Sequence, residues 1–284
     1  MTSKHMPRAC IMGHPVAQSR SPMLHGYWLA QLGIDGAYTR EDVAPGGFPA
    51  FLEGFQAAGY VGGNVTAPHK QVALAAVARV DAVAAAIGAV NTIWTERGEL
   101  VGGNTDAHGF IANLDELAPG WDGATRTAVV MGAGGATRAA IVALRARGVA
   151  VVLVNRTQAH ADALAAEFGA TPGPAVRVAA WERLGDTLSQ ADLLVNTTVL
   201  GMVGKPAMEI DLAALPAASV VYDIVYVPLE TELLRAARAR GNRAVGGLGM
   251  LLHQAVPGFE HWFGARPVVT AELRRLIEDD IRKA

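Results

Sequence analysis

Thr127-Ala-Val-Val-Met-Gly-Ala-Gly-Gly-Ala-Thr-Arg138 is the stretch that decides the fold of this chain. Its apolar start predicts a short strand, and the alanine-rich segment 136–147 has the spacing of a helix. A glycine-rich turn joins the two and consists of Gly132, Ala133, Gly134, Gly135 and Ala136. A strand, a glycine turn and a helix in this order aim free backbone N–H groups and the positive helix end at a pyrophosphate. The stretch predicts a dinucleotide-binding unit; because Thr137 stands where the motif has Gly or Ala, a turn without a ligand is the alternative.

The next predicted strand indicates which dinucleotide is bound. Residues 149–154 form a continuous apolar run that suits burial on both faces of a parallel sheet. The run ends at Asn155, Arg156 and Thr157, where NAD-binding units have an acid for the ribose hydroxyls. Arg156 brings a guanidinium suited to a 2′-phosphate, so the pattern favours NADP. A solvated arginine at a strand end is the alternative.

The composition excludes several classes of protein. The chain has 284 residues, of which 51% are hydrophobic and 18% charged, with a formal net charge of −2. This length suits two domains with sizeable cores, and these proportions argue against disorder. No basic stretch predicts a nucleic-acid or membrane surface, and we expect a cytoplasmic protein without a signal peptide or membrane span. The single cysteine, Cys10, excludes a disulfide framework within one chain and is expected to be buried, and no ligand spacing predicts a metal site.

The other segments alternate between strand and helix patterns, which is typical of the α/β class. Strand patterns recur at 192–198 and 219–225, and the glycine-containing stretch 199–206 predicts a flexible ligand-binding loop. The alanine-rich segment 72–87 predicts one long helix.

Polar loops between these segments carry candidate active-site residues. Ser19 and Ser21 precede a predicted helix, where they either hold a carboxylate or hydroxyl ligand or only cap the helix. Lys70 stands at a helix start, which the helix dipole makes unfavourable for a cation, so a function is favoured over a solvated lysine. We interpret its neighbour His69 as a packing or surface residue. Asp106 begins another predicted helix, where it is either functional or only an N-cap.

Taken together, these loops resemble those of the shikimate dehydrogenase family over about residues 11–264. Each motif is weak alone, but six in one order are specific. The motifs are Ser19-Arg-Ser-Pro-Met-Leu-His25, Gly63-Asn-Val-Thr-Ala-Pro-His-Lys70, Gly88-Ala-Val-Asn-Thr92, Gly103-Asn-Thr-Asp106, Gly132-Ala-Gly-Gly-Ala136 with Asn155-Arg-Thr157, and Gly249-Met-Leu-Leu-His-Gln254.

The resemblance implies two α/β domains and an NADP-dependent reduction of 3-dehydroshikimate to shikimate, a step of aromatic amino acid biosynthesis. Residues 1–106 and 246–284 would form the substrate-binding catalytic domain, and residues 107–245 a Rossmann-like NADP-binding domain. Lys70 and Asp106 would be the catalytic pair. The substrate would be bound by Ser19, Ser21, Thr66, Asn91, Asp106, Tyr226 and Gln254. The cofactor would be bound by the glycine turn together with Asn155, Arg156, Thr157, His160, Ile224 and Gly247.

Departures from the family pattern leave alternatives open. Gln18 stands where the family often has His, Gly246 where Asp is common, and His160 where a second arginine often follows. The last change leaves NAD use open, so a quinate/shikimate dehydrogenase with relaxed substrate choice is the nearest rival. A non-catalytic NADP-binding regulator is the rival from another class, but it would be expected to lack Lys70 or Asp106. Shikimate or 3-dehydroshikimate is the expected partner, and a homodimer is left open.

Overall fold

A computed structural model describes residues 6–283 of the chain. The chain divides into two compact units, one of residues 6–105 with Gln254–Asp280 and one of Asp106–His253 with 281–283. Each unit contains a six-stranded sheet and helices, which confirms the predicted α/β class. Within the described residues, no helix is long and apolar enough to cross a membrane.

The sheet of the first unit is mixed. Its strands are β1 (Arg8–Gly13), β2 (Ala37–Asp42), β3 (Tyr60–Val65), β4 (Arg79–Val80), β5 (Thr92–Glu96) and β6 (Glu99–Gly103), and the helices among them are α1 (Ser21–Leu32), α2 (Phe48–Gly54), α3 (Lys70–Ala76) and α4 (Ala82–Ile87). The strand order is β2-β1-β3-β5-β6-β4, with β1 parallel to β2 and β3, and with β5 antiparallel to β3 and β6. The ends of β1, β3 and β6 therefore lie at the same sheet edge as the beginning of β5.

Both faces of this sheet are buried, as β1 illustrates. Cys10 and Met12 belong to one apolar cluster, while Ala9 and Ile11 belong to another that includes Trp262. The alternation follows from the strand geometry, in which successive side chains point to opposite faces. The predicted burial of Cys10 is confirmed.

The sheet of the second unit is parallel throughout. Its strands are β7 (Thr127–Met131), β8 (Ala150–Val154), β9 (Val176–Val178), β10 (Leu193–Asn196), β11 (Val220–Asp223) and β12 (Arg243–Gly246), and its helices include α5 (Asp106–Leu117), α6 (Gly135–Ala146), α7 (Gln158–Gly169), α8 (Leu184–Leu188) and α9 (Glu232–Ala239). The order β12-β11-β10-β7-β8-β9 confirms the predicted Rossmann-like fold, with its topological switch point between β7 and β10. The last two helices are α10 (Leu248–Phe263) and α11 (Ala271–Lys283).

The single helix predicted over 72–87 is wrong. Helix α3 ends at Ala76, and the short strand β4 pairs with β6 before α4 begins. The Asp81 side chain caps α4 by accepting a hydrogen bond from the Ala84 backbone N–H at 2.6 Å. Strand pairing and an aspartate cap outweigh the helix propensity of the alanines in this segment.

Candidate active site

Thr66 and Asn91 lie at the edge of the first sheet where β1, β3 and β6 end. The Thr66 backbone N–H donates to the carbonyl of Met12 at 2.9 Å. The Val65 N–H donates to the carbonyl of Asn91 at 2.8 Å, and the Asn91 N–H donates to the carbonyl of Gly103 at 3.0 Å. The backbone of Asn91 is therefore fixed between two strand ends, one residue before β5.

Lys70 approaches the same edge through its backbone. It is the first residue of α3, and its side chain is half-buried. The carbonyl of Lys70 accepts a hydrogen bond from the Val90 N–H at 2.9 Å, which places the start of α3 beside the residue preceding Asn91. The structure thus brings three predicted site positions, 66, 70 and 91, to one sheet edge.

His69 is a packing residue, as the sequence predicts. Its side chain is buried, with Nε2 2.7 Å from the carbonyl oxygen of Val43, to which it donates. Its ring stacks on Phe48 with a centroid distance of 4.2 Å. These contacts hold the imidazole in the core of the first unit.

The side chain of Asn91 is held by its neighbours and connects to Gln254. Its Oδ1 atom accepts from the Thr92 hydroxyl and from the Thr105 backbone N–H, both at 2.8 Å. Its Nδ2 atom donates to Thr105 Oγ1 at 3.2 Å, and this hydroxyl lies 3.4 Å from Oε1 of Gln254 in α10. Sequence reasoning missed Thr92 and Thr105, although both lie within the quoted motifs.

Ser19 and Ser21 face one another at the start of α1. The Ser19 hydroxyl donates to Ser21 Oγ at 3.2 Å and accepts from the Ser21 backbone N–H at 3.3 Å. The N-cap position belongs to Arg20, which makes no side-chain capping bond, so neither serine is the N-cap residue. Arg40 of β2 donates from Nε and Nη2 to the carbonyl of Ser19 at 3.0 and 2.6 Å, which holds this loop in place.

Asp106 occupies the first position of α5, at the start of the second unit. It is half-buried and lies inside the helix, so it is not the N-cap residue. A carboxylate in the first turn is stabilised by the helix dipole. Tyr226, another predicted substrate residue, lies in the second unit beyond β11 and is half-buried. Within residues 6–283, no group of three or more His, Cys, Asp or Glu side chains is placed to hold a metal ion.

The glycine turn after β7 has the backbone that a bound pyrophosphate needs. Gly132 has a φ of +119°, and a Cβ at this position would lie 2.6 Å from Thr197 Oγ1, so glycine is required. Gly134 and Gly135 are exposed, and a Cβ on either would meet nothing within 4 Å. The N–H groups of Gly135 and Ala136 open α6, where a helix offers them no acceptor. These residues fit a dinucleotide phosphate.

The Gly134 N–H is already used within the turn. It donates to Thr137 Oγ1 at 3.0 Å, so the close approach predicted at Gly134 relies on its missing side chain and not on its N–H. Beyond β8, the Asn155 side chain donates to the carbonyl of Thr157 at 2.8 Å. Arg156 and His160 are exposed beside it.

A buried carboxylate missed by sequence reasoning shapes the segment after β11. Asp223 accepts from Asn196 Nδ2 at 2.9 Å and from the Thr231 hydroxyl at 2.6 Å, and burial raises the pKa of this carboxyl. A Cβ on Gly247 would lie 2.0 Å from the carbonyl oxygen of Ile224, so the predicted cofactor residues Ile224 and Gly247 are in direct contact. An aspartate ending an apolar strand was the available clue to this arrangement.

Comparisons with known proteins agree with these features. Family models match at residues 11–93 (shikimate dehydrogenase substrate binding domain), 117–211 (shikimate / quinate 5-dehydrogenase) and 247–271 (shikimate 5′-dehydrogenase C-terminal domain). The chain is 56% identical over 278 residues to the shikimate dehydrogenase (NADP(+)) of Methylocella silvestris, covering 98% of each chain.

Solved structures of similar proteins share the fold over nearly the whole chain. Shikimate 5-dehydrogenase from Thermus thermophilus, in complex with NADP(H) and shikimate, is 37% identical with a TM-score of 0.82, covering 98% of this chain and 99% of that one. Quinate dehydrogenase from Corynebacterium glutamicum, in complex with NAD, is 31% identical with a TM-score of 0.88, covering 96% and 99%. The resemblance seen in the sequence is confirmed, and this chain belongs to the shikimate dehydrogenase family.

Proposed function

We propose that this chain is an NADP-dependent oxidoreductase that reversibly reduces 3-dehydroshikimate to shikimate. The observation that carries the proposal is the polar sheet edge of the first unit, where Thr66, Lys70 and Asn91 converge and Asn91 connects to Gln254. A polyhydroxylated acid requires several directional polar contacts, and a site built to bond each hydroxyl rejects analogues that lack one. The family membership supports the same activity.

The substrate carboxylate is assigned to the serine pair. The Ser21 hydroxyl hydrogen can be donated to a carboxylate oxygen, and the Ser19 hydrogen, which points to Ser21 Oγ in this structure, can rotate to the carboxylate when the substrate binds. The backbone of both serines is held by α1 and Arg40. The ring hydroxyls are assigned to Thr66, Asn91, Tyr226 and Gln254.

The proton transfer is assigned to Lys70 and Asp106. In the reducing direction the ketone carbon gains a hydride, the carbonyl electron pair moves to oxygen, and Nζ of Lys70 gives that oxygen a proton. In the oxidising direction the Lys70 amine takes the hydroxyl proton back. Asp106 orients the substrate hydroxyl and Lys70 and shares the proton with them as a coupled group. NADPH, when bound, supplies the hydride.

The cofactor is assigned to the second unit. The N–H groups of Gly135 and Ala136 donate to the pyrophosphate at the positive end of α6. The exposed guanidinium of Arg156 binds the 2′-phosphate. The residues assigned to the remaining cofactor contacts are Asn155, Thr157 and His160 at the ribose, and Ile224 and Gly247 at the nicotinamide.

The direct test is to measure the oxidation of shikimate and of quinate side by side, each with NADP and with NAD. We expect kcat/KM to be highest for shikimate with NADP. A higher kcat/KM for quinate or NAD would instead support the relaxed dehydrogenase, which the lone Arg156 and the similar NAD-bound quinate dehydrogenase make the second candidate. Binding of NADP without turnover of either acid would support the non-catalytic regulator.

We propose that the protein acts in the cytoplasm, as the sequence predicts. Light scattering of the purified chain will decide between a monomer and a homodimer.

A further inference from the structure

Tyr38 of β2 directs its hydroxyl into the polar groups of the first unit. The side chain is buried, and the hydroxyl donates to Oδ1 of Asn64 at 2.6 Å. The ring stacks on His25 with a centroid distance of 4.1 Å. Burial raises the pKa of the Tyr38 hydroxyl well above its ordinary value, while the nearby Ser21 side chain acts in the opposite direction. The hydroxyl therefore stays protonated and remains a donor.

The bond from Tyr38 and the bond to the Asn91 carbonyl together fix the orientation of the Asn64 amide. Because Oδ1 receives the tyrosine hydrogen, Nδ2 points the other way and donates to the carbonyl of Asn91 at 3.3 Å and to Thr92 Oγ1 at 3.2 Å. Asn64 is only 5% exposed, so water does not compete with these partners. A rotated amide would present an oxygen to the Asn91 carbonyl, which has no hydrogen to donate.

The same direction of hydrogen bonding continues to Asn91. Since Thr92 Oγ1 accepts from Asn64, its own hydrogen is donated to Asn91 Oδ1 at 2.8 Å. The Thr105 N–H donates to the same oxygen at 2.8 Å, and together the two donors fill its two lone pairs. Asn91 therefore meets a ligand through the hydrogens of Nδ2 and acts as a donor.

We propose that Tyr38 is a positioning residue for substrate binding: together with the Thr105 N–H, the hydrogen bonds Tyr38–Asn64–Thr92–Asn91 hold the Asn91 amide in place as a donor to a substrate hydroxyl. The inference rests on the proposed function, in which Asn91 contacts a ring hydroxyl. Tyr38 acts through the orientation of other groups and takes no part in the chemistry. Loss of its hydroxyl leaves the buried Asn64 Oδ1 without its donor, so Asn64 is held less firmly against the Asn91 carbonyl and Thr92 Oγ1.

The test is Tyr38→Phe, which keeps the ring on His25 and removes only the hydroxyl. We expect the KM for shikimate to rise about 3- to 10-fold, which corresponds to the net free energy of one neutral hydrogen bond. The kcat and the KM for NADP should stay within about twofold of the wild type, because neither depends on the Asn91 contact. The matched control is Tyr60→Phe, which removes a hydroxyl that donates to Glu41, also at 2.6 Å and in the same unit. A merely structural role would lower the melting temperature without raising the shikimate KM above that of this control.

A second variant, Thr92→Val, breaks the same chain with little change in shape. It should raise the shikimate KM by itself, and adding Tyr38→Phe should raise it by less than about twofold more, because both changes remove one pathway. A shikimate KM for Tyr38→Phe equal to that of Tyr60→Phe would overturn the inference, as would independent, multiplying effects of the two changes. A wild type that does not oxidise shikimate with NADP would contradict the proposed function itself, whereas an active wild type with an unaffected Tyr38→Phe overturns only this inference.

Discussion

The hydroxyl groups of Thr137 and Thr197 lie 2.7 Å apart, and the hydrogen bonds around them run in one direction. The Gly134 N–H donates to Thr137 Oγ1, and the Thr197 hydroxyl donates to the carbonyl of Met131 at 2.7 Å. Since the Thr197 hydrogen is used, Thr137 donates to Thr197. This series of hydrogen bonds connects the glycine turn after β7 with the end of β10. The strands β7 and β10 are the two that border the switch point. The threonine in the third motif position thus stabilises the turn.

Thr137→Val should weaken the binding of both NADP and NAD. The valine keeps the volume of the buried side chain but leaves the Gly134 N–H without its acceptor, so the turn loses its fixed conformation. We expect both dissociation constants, measured by fluorescence titration, to rise about 3- to 10-fold. Thr187→Val is the control, because it removes a hydroxyl bonded to the Arg183 carbonyl in the same unit. Dissociation constants equal to those of the control would contradict the role of this hydroxyl.

Arg156→Ala should separate the two cofactors. A charge-assisted bond to the 2′-phosphate contributes about 1.5–3 kcal/mol, so kcat/KM with NADP should fall by about 10- to 100-fold. The value with NAD, which lacks this phosphate, should change little. Arg177→Ala replaces another exposed arginine, on the neighbouring strand β9, and is the control. An equal loss with both cofactors, or a wild type that prefers NAD, would refute the assignment.

The sequence predicts the dinucleotide unit well because its features are local. The strand, the glycine turn and the helix of 127–147 are contiguous, and Gly132 has the positive φ that the motif requires. The break of the 72–87 segment was not predictable in the same way. It depends on the pairing of β4 with β6, more than twenty residues further along the chain.

The orientation of the polar groups in the first unit could not be predicted from the sequence either. Tyr38 lies on β2, Asn64 on β3 and Asn91 one residue before β5, and only the strand register brings them together. Each has an ordinary explanation in the sequence as a strand or turn residue. Their hydrogen-bond directions follow from how each donor and acceptor is shared, which a linear motif does not encode.

Ser21→Ala should weaken the binding of the substrate and leave that of the cofactor unchanged. If the serine hydroxyl donates to the substrate carboxylate, its loss removes a bond to a charged group, worth about 1.5–3 kcal/mol. The KM for shikimate should therefore rise by about tenfold or more, while the dissociation constant of NADP stays constant. Ser189→Ala, on an exposed hydroxyl of the second unit, is the control. An unchanged shikimate KM would remove Ser21 from the carboxylate site.

The chain should become less stable as the pH falls, because the buried His25 resists protonation. This ring is fully buried among aromatic side chains, and burial lowers its pKa from 6.5 to about 3, with Asn64 acting in the opposite direction. Between these two pKa values the unfolded state binds a proton that the folded state does not. The free energy of unfolding therefore has its full value above pH 6.5 and decreases as the pH falls toward 3. The expected loss is about 2 kcal/mol between pH 7 and pH 5.

Urea unfolding at several pH values measures this loss. His25→Phe keeps an aromatic ring in the cluster, and the difference between its pH dependence and that of the wild type isolates His25 from other titrating groups. His160→Ala replaces an exposed histidine and should keep the pH dependence of the wild type. Parallel curves for the wild type and His25→Phe would show that this ring does not couple stability to pH.

Lys70 carries the proton transfer in the proposed mechanism, so Lys70→Ala should reduce kcat far more than binding. Loss of one positioned acid–base group lowers kcat by about 10²- to 10⁴-fold, while the KM for shikimate changes modestly. Asp106→Asn should impair both kcat and KM, because this carboxylate orients the substrate as well as the lysine. Lys283→Ala, at the exposed end of α11, removes a lysine remote in sequence and serves as the control. Steady-state kinetics in both directions, with melting temperatures for each variant, make the comparison. A Lys70→Ala variant with near-normal kcat would reject the acid–base role of the lysine and transfer it to Asp106 or to a bound water molecule.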